Sequence, residues 1–178
     1  MRYERAFQIG DREMVRFHFG QSLREKLPGM LGLSVAGGLI IYLYLTRMGI
    51  AISVPQTALW MFFGFLLVFA ILLLILYVPV VRHVRAGLRK LGTSSYEQAV
   101  TIDGFGVHVT AHGKEAKLPF DKIRLVRETK QDFYIYVTDT QAWLLPKDQM
   151  ENQQEEGKTI RKLFTTVLES RRLKLRGD

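Results

Sequence analysis

VPQTALWMFFGFLLVFAILLLILYVPVV, residues 54 to 81, carries no charged side chain. As a helix rising 1.5 Å per residue it reaches about 40 Å, against roughly 30 Å for the hydrocarbon core of a bilayer. Length and composition together predict a transmembrane helix whose excess is taken up by tilt or by exit into the headgroup zone. Eighteen of its residues are Leu, Ile, Val or Phe, worth roughly 5 to 11 kcal/mol of insertion free energy.

Upstream, residues 28 to 46 (PGMLGLSVAGGLIIYLYLT) predict a first, weaker span. Its eight Leu, Ile and Val residues supply roughly 2 to 5 kcal/mol, and Gly29, Gly32, Gly37 and Gly38 add little. Its small residues serve packing instead. Gly32 with Ala36, and Ser34 with Gly38, form small-xxx-small pairs that let backbones approach closely. They suit either the second span of the same chain or a homo-oligomer face.

The connection from Arg47 to Ser53 is short and leads to Pro55, which suits a helix start. Spans joined this tightly form an antiparallel hairpin with both termini on one side. The N-terminal flank has Arg2, Arg5, Arg12, Arg16, Arg24 and Lys26, and the flank after the second span has Arg82, Arg85, Arg89 and Lys90. The connection has only Arg47, so the excess of bases places both termini in the cytoplasm of a multi-pass inner-membrane protein. Tyr42, Tyr44 and Trp60 then fall toward the outer ends and Tyr77 toward the inner end, as interfacial aromatics do.

The formal charge of +8 is unevenly spread: a net +2 over residues 1–26, +5 over 27–95 and +1 from 96 onward. The excess sits beside the membrane, where anionic headgroups attract it. Arg82, Arg85, Arg89, Lys90, Arg12 and Arg16 are the candidate membrane-surface contacts, with membrane lipid as the partner. A nucleic-acid protein concentrates its bases on the folded domain, so no nucleic-acid partner is expected. There is no cysteine, which removes disulfides and thiolate metal sites. The first twenty-odd residues lack the apolar core of a cleaved secretory signal.

Three segments follow. Residues 1–27 give a strand with Tyr3, Phe7 and Ile9 on one side, then a turn at Gly10-Asp11 and an amphipathic helix in which Val15, Phe19, Leu23 and Leu27 recur every four residues. Residues 28–92 hold the hairpin and a basic cytoplasmic extension ended by Gly92. From residue 96 to 178 the period becomes two, giving about six short antiparallel strands around Asp103-Gly104-Phe105-Gly106, His112-Gly113 and Thr138-Asp139-Thr140. Ile160, Leu163, Phe164, Val167 and Leu168 then fall at helical spacing, so a C-terminal helix closes one face of the sheet. The fold class is α+β: a transmembrane hairpin followed by a small antiparallel β module with a helix. Tyr3, Phe7 and Ile9 are positioned to complete that module's sheet.

Two spans, a basic connector, Leu118-Pro119-Phe120-Asp121-Lys122-Ile123, and Phe133-Tyr134-Ile135-Tyr136 leading to Leu144-Leu145-Pro146-Lys147 resemble the bacterial YcxB-like membrane proteins. The resemblance implies a small C-terminal β module capped by a helix and implies no activity. The module also resembles bacterial relatives of the pleckstrin-homology layout.

No catalytic, cofactor or metal residues emerge. His108 and His112 lie across a strand and its turn, not at i, i+4 on a helix. Gly104 and Gly106 are followed by no Lys-Ser/Thr pair. Asp121, Asp132, Asp139 and Asp148 are read as turn acids. Trp143 with Tyr134 and Tyr136 reads as sheet core in preference to a ligand site. The expectation is a non-catalytic, membrane-anchored interaction or regulatory module without cofactor. A subunit of an oligomeric transport or channel complex is the alternative, and an enzyme at the lipid interface ranks below it.

Overall fold

The computed structural model describes residues 2–48, 54–169 and 172–175. Gly49 to Ser53 of the expected connection lie outside the described residues. The chain divides into two units, Met1–Glu13 with Gly92–Asp178, and Met14–Leu91.

Element order explains the division. Strand β1 (Tyr3–Gly10) comes first, then helices α1 (Asp11–Arg47) and α2 (Val54–Lys90). Strands β2 (Ser95–Ile102), β3 (Gly106–Ala111), β4 (Lys114–Pro119), β5 (Leu125–Glu128), β6 (Asp132–Tyr136) and β7 (Ala142–Pro146) follow, then helix α3 (Gln153–Val167) and strand β8 (Leu173–Lys174). The fold is α+β, as its periodicities predict.

The strands form two four-stranded sheets, ordered β1-β2-β3-β4 and β7-β6-β5-β8. All pairings are antiparallel except β5 with β8, which is parallel and joins Val126 to Leu173 and Arg127 to Lys174. A single meander under a helix does not describe this arrangement. After β4 the short turn Phe120–Lys122 starts a second sheet, which β8 extends on one edge. Two residues of β8 are too few to carry a period-two signal.

The module's core follows strand alternation. In β1, Tyr3, Phe7 and Ile9 are buried while Glu4, Ala6 and Gln8 are exposed. Val100, Ile102, Val107, Ile123, Val126, Phe133, Ile135 and Leu145 continue that interior, and α3 adds Ile160, Leu163 and Phe164. Asn152 caps α3, its side chain accepting from the Glu155 N–H at 3.2 Å. Gly157 is buried, with a Cβ there 3.9 Å from the Phe133 ring. Gln98 is buried on β2 and donates to the Leu144 carbonyl of β7 at 2.8 Å, a polar link between the two sheets.

In the second unit, α1 is continuous where the sequence suggested a new segment at Pro28. Pro28 lies inside the helix, and it and Arg24 are exposed. The carbonyl that loses its N–H partner is therefore not buried. Both helices are long and apolar enough to cross a membrane by length and composition. Leu33, Val35, Ile40, Leu67, Leu74 and Ile75 are each about 60% exposed, an inversion of the module, whose large apolar side chains are mostly inside.

Candidate functional site

Four places bring functional groups together. The first is the seam where the chain leaves the module for the helices and returns. β1 pairs with β2 from Tyr3↔Ile102 to Gly10↔Ser95, so the helical pair is an insertion in a β1–β2 connection. Gly10 ends the strand and opens α1: its N–H donates to Glu13 Oε2 at 3.0 Å, the reach-back half of a capping box.

The other end of β1 is tied to α3. Tyr3 Oη donates to Glu156 Oε2 and Arg5 Nη1 to Glu156 Oε1, both at 2.8 Å. Burial, then the bond to Glu156, pushes the Tyr3 phenol far above its ordinary pKa. Gln149 completes the outer edge of β1: its side chain accepts from Gln8 N and donates to Gln8 O, each at 2.7 Å. A side-chain amide thus replaces a neighbouring strand.

The second place is the approach of α1 to α2. Of the predicted small residues, Ser34 and Gly38 are buried, while Gly32 and Ala36 are exposed. A Cβ on Gly38 would stand 2.9 Å from the Met61 carbonyl, and one on Gly37 would stand 2.7 Å from Val68. On the facing helix a Cβ on Gly64 would lie 2.9 Å from Ile41 and 3.3 Å from Gly38 Cα. Backbones therefore meet at Gly38 and Gly64, and Ser34 satisfies its hydroxyl on the Met30 carbonyl at 2.8 Å. Gly64 escaped the sequence reading because a lone glycine in an apolar run has no spaced partner in its own helix. Phe19 and Tyr77 add an edge-to-face contact at 5.4 Å.

The third place is the basic flank. Arg82, Arg85, Arg89 and Lys90 are exposed on the last turns of α2, Arg12 is exposed near the start of α1, and Arg16 is partly covered.

The fourth is a buried charge cluster inside the module. Glu128 accepts from Arg161 Nε and Nη2, both at 2.8 Å, and from Lys147 Nζ. Lys147 also donates to the Thr129 carbonyl at 2.9 Å and stands 4.6 Å from the centre of the Phe133 ring. The Glu128 side chain is wholly shielded from solvent, so its charge is held by paired donors from α3 and the turn after β7. These three residues are far apart in sequence, and no local pattern announces them.

His108 and His112 do not converge. His108 Nε2 lies 3.4 Å from Asp103 Oδ2, whereas the His112 ring lies 4.3 Å from Tyr96. Burial raises the Tyr96 phenol pKa. Among the described residues, no group of three or more His, Cys, Asp or Glu is placed to hold a metal ion. Tyr134 and Tyr136 are buried with rings 6.4 Å apart, whereas half-buried Trp143 pairs with Ile135 and so lies on the other face of the sheet. Asp132, expected as a turn acid, is buried and accepts from Tyr134 Oη at 2.8 Å.

A two-sheet α+β module interrupted by two long apolar helices is the class this geometry defines. Residues 102–164 match the family model described as YcxB-like protein, so the chain carries a YcxB-like domain preceded by the two apolar helices. The match covers β3 through most of α3 and leaves out β1, which completes the first sheet. No curated protein and no solved structure matches the chain.

Proposed function

We propose that the protein is a non-catalytic interaction or regulatory module held at the cytoplasmic face of a bacterial inner membrane by a two-span hairpin. The carrying observation is the pairing of β1 with β2 along eight residues each. Strands that share one ladder occupy one compartment, and 84 residues lie between them, from Asp11 to Ser94. An even number of crossings is then required, and the two apolar helices supply two. The exposed bases at Arg12, Arg82, Arg85, Arg89 and Lys90 support the cytoplasmic side. There they would meet anionic headgroups as the lipid partner.

The module has four strands, then three, then a helix, before β8 adds a short edge, and we read this order as pleckstrin-homology-like. That analogy bears on fold and not on ligand. Gly32 and Ala36, exposed on α1, favour a second reading in which the hairpin also forms a homo-oligomer, as a transport or channel subunit would.

Single cysteines in this cysteine-free chain test the topology. With a membrane-impermeant maleimide on intact cells, Met48→Cys should react and Lys158→Cys should react only after lysis. Lys158 is exposed whereas its neighbour Gly157 is buried. The reverse pattern would overturn the orientation, and equal reaction at both would overturn the two-span reading.

A further inference from the structure

We infer that the β2–β3 turn and the groove beside it form a docking surface for a protein partner with an apolar pocket for one phenyl ring. This rests on the reading of the module as a tethered interaction domain and specifies its partner class. Phe105 is 86% exposed, more than any of the described large apolar residues on the two long helices. Its position is fixed by the turn that carries it. Asp103 N donates to the Gly106 carbonyl at 3.1 Å, and Asp103 Oδ1 accepts from Phe105 N at 2.8 Å and from Gly106 N at 3.2 Å. Gly106 is packed so closely that any Cβ would strike the Leu118 carbonyl. An aromatic ring on a rigid backbone loses little entropy on binding, which is what a pre-organised anchor requires.

The surroundings decide the kind of occupant. A groove of about 290 Å³ opens beside the turn, lined by Arg2, Asp103, His108, Glu115 and Lys117 among others. Acids and bases are balanced there, where a surface for lipid phosphates would be predominantly basic. The mixed charge fits a protein and not a bilayer.

The test places p-benzoylphenylalanine at position 105 in the full-length protein in native membranes, with the same residue at exposed Lys130 as control. The expected result is a discrete protein adduct from position 105, absent from position 130 and lost when Lys117→Glu and Glu115→Lys are combined. The partner, identified from the adduct and purified, should bind Phe105→Ala about 30-fold more weakly, with the melting temperature of the variant unchanged. An adduct with phospholipid, an adduct of twice the chain's own mass, equal labelling from both positions, or no adduct would each overturn the proposal. None of these outcomes depends on the maleimide pattern, so failure here is distinguishable from failure of the topology.

Discussion

The sheet module and the helical pair are stabilised by opposite means. In the module, large apolar side chains are inside, charges are mostly outside, and the wholly shielded carboxylate of Glu128 is matched by Lys147 and Arg161. In the helical pair, large apolar side chains face outward and the contact is made where side chains are smallest, at Gly37, Gly38 and Gly64. The difference is what the proposed membrane hairpin requires: a module suited to water and a helical pair suited to lipid. Burial of Phe7 and Ile9 gains free energy only where the alternative is water. Where the alternative is lipid, close backbone approach and dispersion replace that gain.

The largest expected effect breaks the module without touching the helices. Phe7 is 1% exposed, and Phe7→Ala should cost about 3 to 5 kcal/mol. The cost is read as loss of the module's cooperative unfolding transition in detergent, with the helical far-UV signal retained. If β1 were a dispensable edge, the transition would not move. Next, Glu128→Ala should cost about 3 kcal/mol or more by leaving two cations without their shared anion. Adding Arg161→Met and Lys147→Met should recover much of that loss in chemical denaturation, because an apolar cluster needs no counterion. An additive triple variant would show that the residues act separately.

A smaller effect belongs to the helices. Gly38→Val should cost about 1 to 3 kcal/mol of overpacking, seen as faster hydrogen exchange at residues 34–41 and 61–68 in nanodiscs with the module's transition unmoved. The smallest concerns Asp103. Two turn N–H groups, Phe105 first, hold its carboxyl below the ordinary value of 3.8. A depressed folded pKa means the stabilisation is present above the unfolded pKa and fades as pH falls through the folded one. Asp103→Asn should therefore be the less stable protein at pH 7, and the gap should close in strong acid. A gap independent of pH would mean that the carboxylate charge contributes nothing.

How much was legible follows from the range of each interaction. The apolar runs, the basic flanks, six of the strands and α3 are local patterns, and each lies near where its period places it. Tyr3, Phe7 and Ile9 were legible as one face of a strand. Their placement beside Tyr96 to Ile102, on the far side of the long helices, rested on the need of an apolar face for cover. Of the candidate packing residues, Gly38 meets α2 and Ser34 is buried. Gly32 and Ala36 are exposed, because spacing along one helix does not say which face meets the neighbouring helix.

The sequence by itself determined the two apolar helices, the sign and place of their flanking charge, and the change to period-two strands. These depend on residues a few positions apart. Only the tertiary structure decided that β1 pairs with β2, that Gly64 receives Gly38, that Glu128 is clamped by Lys147 and Arg161, and that the strands divide into two sheets. Those contacts join residues from about 20 to about 100 positions apart. The chain's periodicity marks which faces need covering, and complementarity in three dimensions selects what covers them.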